Sequence, residues 1–156
     1  MNKSLLLLSA LITVTFISCK KDDPAPKTAS ILGTWYASET LSIQCTESTN
    51  DGSVSYNCPS GDCLSFIFVV DTVIINEEKV ANQVYSMSSS IDGSTMNESG
   101  TFELGSGRIT LCIDEEGEVT CRNIQMDLSG DDMTLKSTNS QTGCRETTTY
   151  TRASAE

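Results

Sequence analysis

Cysteine offers the most chemistry in this chain, because the sequence holds seven cysteines and no histidine. A nucleophilic cysteine usually works with a histidine base, and zinc sites are usually built from cysteine pairs two residues apart. The sequence contains neither a histidine nor such a pair. The composition therefore predicts disulfides, and it predicts neither a metal site nor a cofactor.

The other reactive residue types show no catalytic arrangement. The serines lack a histidine as general base, and the nucleophile motif G-x-S-x-G is absent from the sequence. Acidic residues gather at 114–118 and 131–132 without the spacing of a calcium loop, which favours solvated turns. A formal net charge of −11 argues against nucleic acid as a partner. We therefore expect that the protein is not an enzyme.

Two of the cysteines lie in neighbouring predicted strands. Apolar and polar residues alternate over 108–113, and a second stretch of this kind follows a turn at Glu116-Gly117. A two-residue turn there places Cys112 opposite Cys121 at a non-hydrogen-bonded position, where Cα atoms lie about 4.5 Å apart. A disulfide can close that distance. We therefore predict a Cys112–Cys121 bridge on the polar, outer face of this hairpin.

The same register assigns other residues of the hairpin to its two faces. The outer face carries two polar pairs, which are Thr110 with Asn123 and Arg108 with Gln125. On the inner face Arg122 stands opposite Leu111 among apolar residues. A buried arginine would need a partner such as a ligand carboxylate. We expect instead that Arg122 lies at the rim, where a glutamate or water can satisfy it.

The N-terminal residues have the pattern of an export signal. Their apolar run over 5–17 is shorter than the roughly 20 residues that span a bilayer, so a retained membrane anchor is only the alternative. Phe16-Ile17-Ser18-Cys19 resembles the lipobox of bacterial lipoproteins, and Lys20-Lys21-Asp22-Asp23 resembles the export signal of surface lipoproteins in the Bacteroidota. The resemblance implies that residues 1–18 are a signal peptide and that Cys19 is acylated.

This resemblance also gives the organisation of the chain. Acyl chains on Cys19 would bind the lipid bilayer, residues 19–30 would form a flexible tether, and residues 31–153 would form the folded domain. We predict an outer-membrane lipoprotein that is exposed at the cell surface or, alternatively, faces the periplasm.

Acylation of Cys19 leaves six cysteines, and an even number in an exported chain indicates disulfides. Beside the predicted hairpin bridge, four cysteines remain and allow three pairings. Cys58 could close on Cys63 as a tight loop, which would leave Cys45 to join Cys144.

Short strand-like stretches alternate with turns from residue 31 onward. They cover 35–43, 64–75, 84–91, 100–104, 108–113, 119–128, 133–135 and 144–152, with a polar loop over 44–62. A short helix over 76–82 is an alternative there, because its residues favour helix. Eight or nine short strands predict an all-β fold, either an antiparallel barrel or a sandwich.

Ile31-Leu32-Gly33-Thr34-Trp35 resembles the G-x-W signature of lipocalins and of the small lipocalin-like domains in Bacteroidota lipoproteins. The ending Tyr150-Thr151-Arg152 is similar to the end of those domains. The resemblance covers roughly residues 31–152 and implies an up-and-down barrel of about eight strands. It implies that Arg152 packs over Trp35, beside Gly33, and that a small hydrophobic ligand binds inside.

An eight-stranded barrel is either filled by side chains or just wide enough for one small ligand. The candidate ligand-binding residues are Phe66, Phe68, Tyr85, Phe102, Leu111, Arg122, Ile124 and Met126, and Val70, Ile109, Met133 and Leu135 belong to the same wall. Such a wall is more often a packed core than a pocket. The alternative function is a solid barrel that binds a protein or a glycan through surfaces such as the loop over 44–62.

Overall fold

The computed structural model describes residues 30–75 and 78–154. The predicted signal peptide, the lipidation site Cys19 and residues 19–29 of the tether lie outside these residues. The described chain is all-β, with strands β1 Gly33–Ile43, β2 Gly52–Ser55, β3 Cys63–Ile75, β4 Glu78–Ile91, β5 Ser94–Gly105, β6 Arg108–Glu115, β7 Glu118–Ser129, β8 Asp132–Thr138 and β9 Arg145–Arg152.

The strands form one antiparallel sheet that closes on itself. From β3 to β9 each strand pairs with the next in sequence, and β1 pairs with both β3 and β9. These eight strands make the predicted up-and-down barrel. The ninth strand, β2, pairs with the second half of β1 and lies inside the stretch that was predicted to be a loop.

The β6–β7 hairpin has the register that the sequence predicts. Cys112 pairs with Cys121, and their Cα atoms are 4.1 Å apart in a disulfide. The turn residues Glu116 and Gly117 have φ values of 56° and 90°, as a two-residue hairpin turn of type I′ requires. The Asp114 carboxylate accepts the Gly117 N–H at 2.9 Å and stabilises the turn.

The Cys112–Cys121 prediction is confirmed, and the other two disulfides join Cys58 to Cys63 and Cys45 to Cys144, which is one of the three pairings that the sequence left open. The Cys45–Cys144 bridge links the end of β1 to the start of β9 across 99 residues of sequence. It therefore fastens the seam at which the first and last barrel strands meet.

The alternative helix over 76–82 is wrong for residues 78–82, which belong to β4. β4 begins at Glu78, because it pairs continuously with β3 from Ile75↔Glu78 to Cys63↔Ser90. Cross-strand pairing outweighs the local helical preference of these residues.

The β3–β4 hairpin extends past the barrel. The pairing of β1 with β3 stops at Phe68, and that of β5 with β4 stops at Val84. Residues 70–75 and 78–83 therefore pair only with each other and form a two-stranded arm. Val70, expected in the barrel wall, is 49% exposed because it lies on this arm.

Trp35 and Arg152 close the end of the barrel at which β1 begins. The Trp35 ring is fully buried, and its Nε1 donates to the Ile31 carbonyl at 2.7 Å. The Arg152 guanidinium lies 4.2 Å from the ring centroid, the arrangement that the lipocalin resemblance implied. A Cβ on Gly33, at φ 128°, would come within 2.9 Å of Arg152, so only glycine fits beside this pair.

Candidate functional site

Aromatic side chains fill the middle of the barrel. The Phe66 and Phe68 rings stack with centroids 5.3 Å apart, and Phe102 meets Phe68 edge-on at 5.1 Å. Tyr150 meets Phe66 edge-on at 5.7 Å. These contacts have the geometry that aromatic pairs prefer in a packed core. The residues buried most completely around them are Trp35, Phe68, Ile109, Leu111 and Met133.

Most of the candidate ligand-binding residues lie together in this core. The buried ones are Phe66, Phe68, Tyr85, Phe102, Leu111 and Ile124. Met126 is partly buried and packs against them, whereas Arg122 is exposed. Apart from Val70 and Arg122, the predicted wall therefore faces the barrel interior, where its side chains contact one another.

A recess remains at the barrel end where the β6–β7 turn lies. Its volume is about 80 Å³, and its lining consists of Tyr85, Glu98, Leu111, Ile113, Thr120 and Arg122. Small-molecule sites usually measure about 300–1,000 Å³. The recess could hold no more than a small fragment of a drug-sized ligand.

Arg122 lies at the mouth of this recess and pairs with Glu98. Their closest contact, Nη2 to Oε1, is 2.5 Å, and a second hydrogen bond from Nη1 to Oε2 measures 3.1 Å. The Arg122 side chain is 46% exposed, which agrees with the rim position expected for it. The sequence did not identify Glu98 as the partner of Arg122. A two-residue turn at Asp92-Gly93 places Glu98 opposite Met87, and this turn could have located Glu98 on β5.

Tyr85 connects this ion pair to the core. Its hydroxyl donates to Glu98 Oε1 at 2.6 Å. Burial raises the pKa of the Tyr85 phenol, and the hydrogen bond to Glu98 shifts the pKa in the same direction. The phenol therefore stays protonated at neutral pH and holds the Glu98 carboxylate in place.

The polar loop over 44–62 packs against the same end of the barrel. Tyr56 is partly buried against the core, and its N–H donates to the Ser38 carbonyl at 3.0 Å. The Tyr56 hydroxyl lies 3.1 Å from Thr40 Oγ1, which in turn lies 2.8 Å from Thr148 Oγ1. The loop is therefore docked on the barrel.

A second site, which the sequence did not predict, lies on the outer face of β6–β9. Strand register places Arg108 opposite Gln125, Gln125 opposite Lys136, and Lys136 opposite Thr147, so these four residues form one row across four strands. The neighbouring positions along the strands carry Asn123, opposite Thr110, and Arg145, opposite Thr138.

This polar surface forms a groove of about 490 Å³, which we call the cationic groove. Its lining consists of Ile43, Arg108, Asn123, Gln125, Lys136, Ser137, Thr138, Arg145, Glu146 and Thr147. The predicted hairpin register places Arg108 and Gln125 together on the outer face. Lys136 and Arg145 were not predicted, because they join the groove only through the pairing of β8 and β9.

The cations of the groove have no ion-pair partner within the described residues. There, Arg122 pairs with Glu98 and Arg152 pairs with Asp131. The Glu146 carboxylate at the edge of the groove accepts a hydrogen bond from Asn139 Nδ2 at 2.9 Å. The three positive charges therefore face solvent together and favour an anion.

No protein-family model matches the chain, and neither does any curated protein. Within residues 30–75 and 78–154, no helix is both long and apolar enough to cross a bilayer. The two sites are therefore interpreted from their geometry.

Proposed function

We propose that the protein is an exported, membrane-anchored binding module that works through the outer surface of a filled, lipocalin-like β-barrel. The filled interior carries this proposal, because the recess that opens into it has only about 80 Å³. Binding at a surface needs no catalytic residue, and we propose that the protein is not an enzyme.

Two observations support export and anchoring. Three disulfides within one chain are typical of proteins that fold outside the cytoplasm. The stretch that ends in Cys19 resembles a lipobox. Acylation at Cys19 would place the domain on the outer membrane, facing either the surroundings or the periplasm. Labelling cells with a radioactive fatty acid tests this step, because Cys19→Ala should abolish incorporation of the label.

Native mass spectrometry of the purified, oxidised protein tests the binding mode. We expect a mass six hydrogens below that of the reduced chain, because three disulfides form. We expect no bound small molecule, either before or after mild denaturation. A co-purified compound that is lost on denaturation would contradict a filled barrel.

A small ligand in the recess is the second candidate function. The observation that favours it is the apolar floor of Leu111 and Ile113 beneath the Arg122–Glu98 pair. The carboxylate of a short aliphatic acid could replace Glu98 as the partner of Arg122. Such an acid should then co-purify with the native protein and should be lost in the variant Arg122→Gln.

A further inference from the structure

Three of the six basic residues in the described part of the chain line one groove. The chain has 10 basic and 21 acidic residues, so its overall field repels anions. Arg122 and Arg152 are neutralised by carboxylates, whereas Arg108, Lys136 and Arg145 line the cationic groove. The groove is therefore a positively charged region, which attracts anions, on a molecule whose net charge is negative.

Strand geometry gives the spacing of these charges. Neighbouring strands lie about 4.8 Å apart, so the Cα atoms of Arg108 and Lys136, in one row and two strands apart, are separated by roughly 10 Å. Arg145 is the diagonal neighbour of Lys136, at about 7–8 Å. Charges at this spacing suit a ligand with several anionic groups, because each group can then pair with a different side chain.

The neutral lining indicates what lies between those anionic groups. Asn123 and Gln125 offer amide donors and acceptors, and Ser137, Thr138 and Thr147 offer hydroxyls. Such groups pair well with the hydroxyls of sugars. Ile43 is 41% exposed and forms an apolar edge against which a sugar ring can pack.

The surroundings of the groove limit the length of the ligand. Glu103 lies opposite Thr110, and Asp127 follows Gln125 by two residues on the same face of β7. A long polyanion such as a nucleic acid would extend onto these carboxylates and would be repelled. A volume of about 490 Å³ also corresponds to a small ligand.

From the charges, their spacing and the neutral lining we infer that the cationic groove binds a short acidic oligosaccharide that carries sulfate or carboxylate groups. This inference rests on the proposed function, because it takes the outer surface of the barrel as the binding surface. It goes further by naming the site and the chemical class of the ligand.

Isothermal titration calorimetry of the oxidised protein with a sulfated disaccharide of a uronic acid and glucosamine tests the inference. Lys136→Gln and Arg145→Gln should each weaken binding at least about fivefold, and the double variant should abolish it. Lys136→Arg should keep binding within about threefold. Lys79→Gln removes the same charge from β4, a strand outside the groove, and should change binding by less than about twofold. Affinity should fall as salt rises.

Other probes separate the alternatives. The same disaccharide without sulfate, and a version without carboxylate, show which anionic group is bound. Equal binding of an uncharged disaccharide, or unchanged binding by the double variant, would overturn the inference. Tighter binding of hexa-aspartate or of a short single-stranded DNA would assign the groove to a protein or a nucleic acid and would also overturn it.

The inference and the proposed function fail in different experiments. A small molecule that co-purifies inside the barrel in native mass spectrometry would contradict the proposed function. If the disaccharide does not bind and no small molecule co-purifies with the protein, only the assignment of the groove is contradicted. Thermal unfolding of each variant checks its fold, which substitutions at exposed positions such as Lys136 and Arg145 should leave intact.

Discussion

The guanidinium of Arg152 contacts four residues from two separate segments of the chain. It packs on the Trp35 ring, donates to the carbonyls of Ser30 and Leu32, and pairs with Asp131 at 3.0 Å. A planar group with five donors can make all of these contacts at once, which a lysine cannot. This one residue therefore closes the end of the barrel.

Substitution of Arg152 should destabilise the protein. Arg152→Ala removes the cation–π contact and the hydrogen bonds to two carbonyls, and we expect a loss of about 2–4 kcal/mol of unfolding free energy. Arg152→Lys should recover less than half of that loss. Urea unfolding followed by Trp35 fluorescence measures both variants. Arg108→Ala, at an exposed position, is the control, and an equal loss in it would contradict this role.

Two buried phenols should make stability fall at high pH. Burial raises the pKa of Tyr85 and of Tyr150 in the folded protein. Below the unfolded pKa of about 10 both states hold these protons, so the stabilisation is fully present. Above about pH 10 only the unfolded state releases them, and the unfolding free energy should therefore decrease as pH rises.

Urea unfolding between pH 7 and pH 11 measures this effect. Tyr85→Phe loses the hydrogen bond to Glu98 and should be less stable at pH 7, but its stability should fall less between pH 9 and pH 11. An alkaline slope in Tyr85→Phe as steep as in the parent would show that Tyr85 does not contribute to it.

At the scale of elements, both edges of the arm are free of strand partners within the described residues. Along each strand, the backbone N–H and C=O groups of successive residues point alternately to the two neighbouring strands. The 2.9 Å hydrogen bond from the Met126 N–H to the Gly107 carbonyl shows which residues of β6 point to β7, and the strand registers extend this alternation back to β3. By this alternation Phe66 and Val70 direct their backbone groups to the same side of β3. Phe66 meets β1 there, whereas no strand of the described chain pairs with that side of Val70.

Hydrogen exchange should divide β3 at the point where its pairing with β1 stops. We expect the Val70 amide to exchange close to the rate of an unstructured chain, and the Phe66 amide to exchange only on global unfolding. The two amides share a strand and a direction, so each is the control for the other. Strong protection at Val70, measured by NMR, would mean that another segment covers the edge of the arm.

Local signals explain which elements the sequence predicted correctly. The β6–β7 hairpin was predicted down to its register, because a two-residue turn with glycine fixes the pairing of everything that follows. β2 and the first part of β4 were missed, since only pairing with β1 and β3 makes these polar stretches strands. The inner face followed from alternation, but alternation does not show whether a barrel is filled.

At the scale of the whole molecule, the cationic groove depends on four strands that span residues 108 to 147. Its charges are far apart in sequence and lie within an acidic chain, so composition conceals them. Only the successive registers of β6 to β9 bring Arg108, Lys136 and Arg145 together. A site of this kind follows from topology and cannot be found from a motif.

The disulfide at the barrel seam should contribute more stability than the hairpin disulfide. Cys45–Cys144 closes a sequence separation of 99 residues and Cys112–Cys121 one of 9. Loop-closure entropy then predicts that replacing the first pair with alanines costs roughly 2 kcal/mol more than replacing the second. Urea unfolding of the two double variants measures the difference. Equal losses would mean that the seam is held by strand pairing alone.

The way the chain enters the barrel also determines how it resists mechanical force. The chain enters at Ser30 beside Arg152, and β1 then runs to the Cys45–Cys144 bridge with β9 on one side and first β3, then β2, on the other. Tension applied from the N-terminal side along β1 loads these ladders in shear, so many hydrogen bonds must break together. If these hydrogen bonds broke and β1 moved along its neighbours, the Cys45–Cys144 bridge would still hold β1 to β9. The domain is thus built to stay folded while pulled by its own N-terminus.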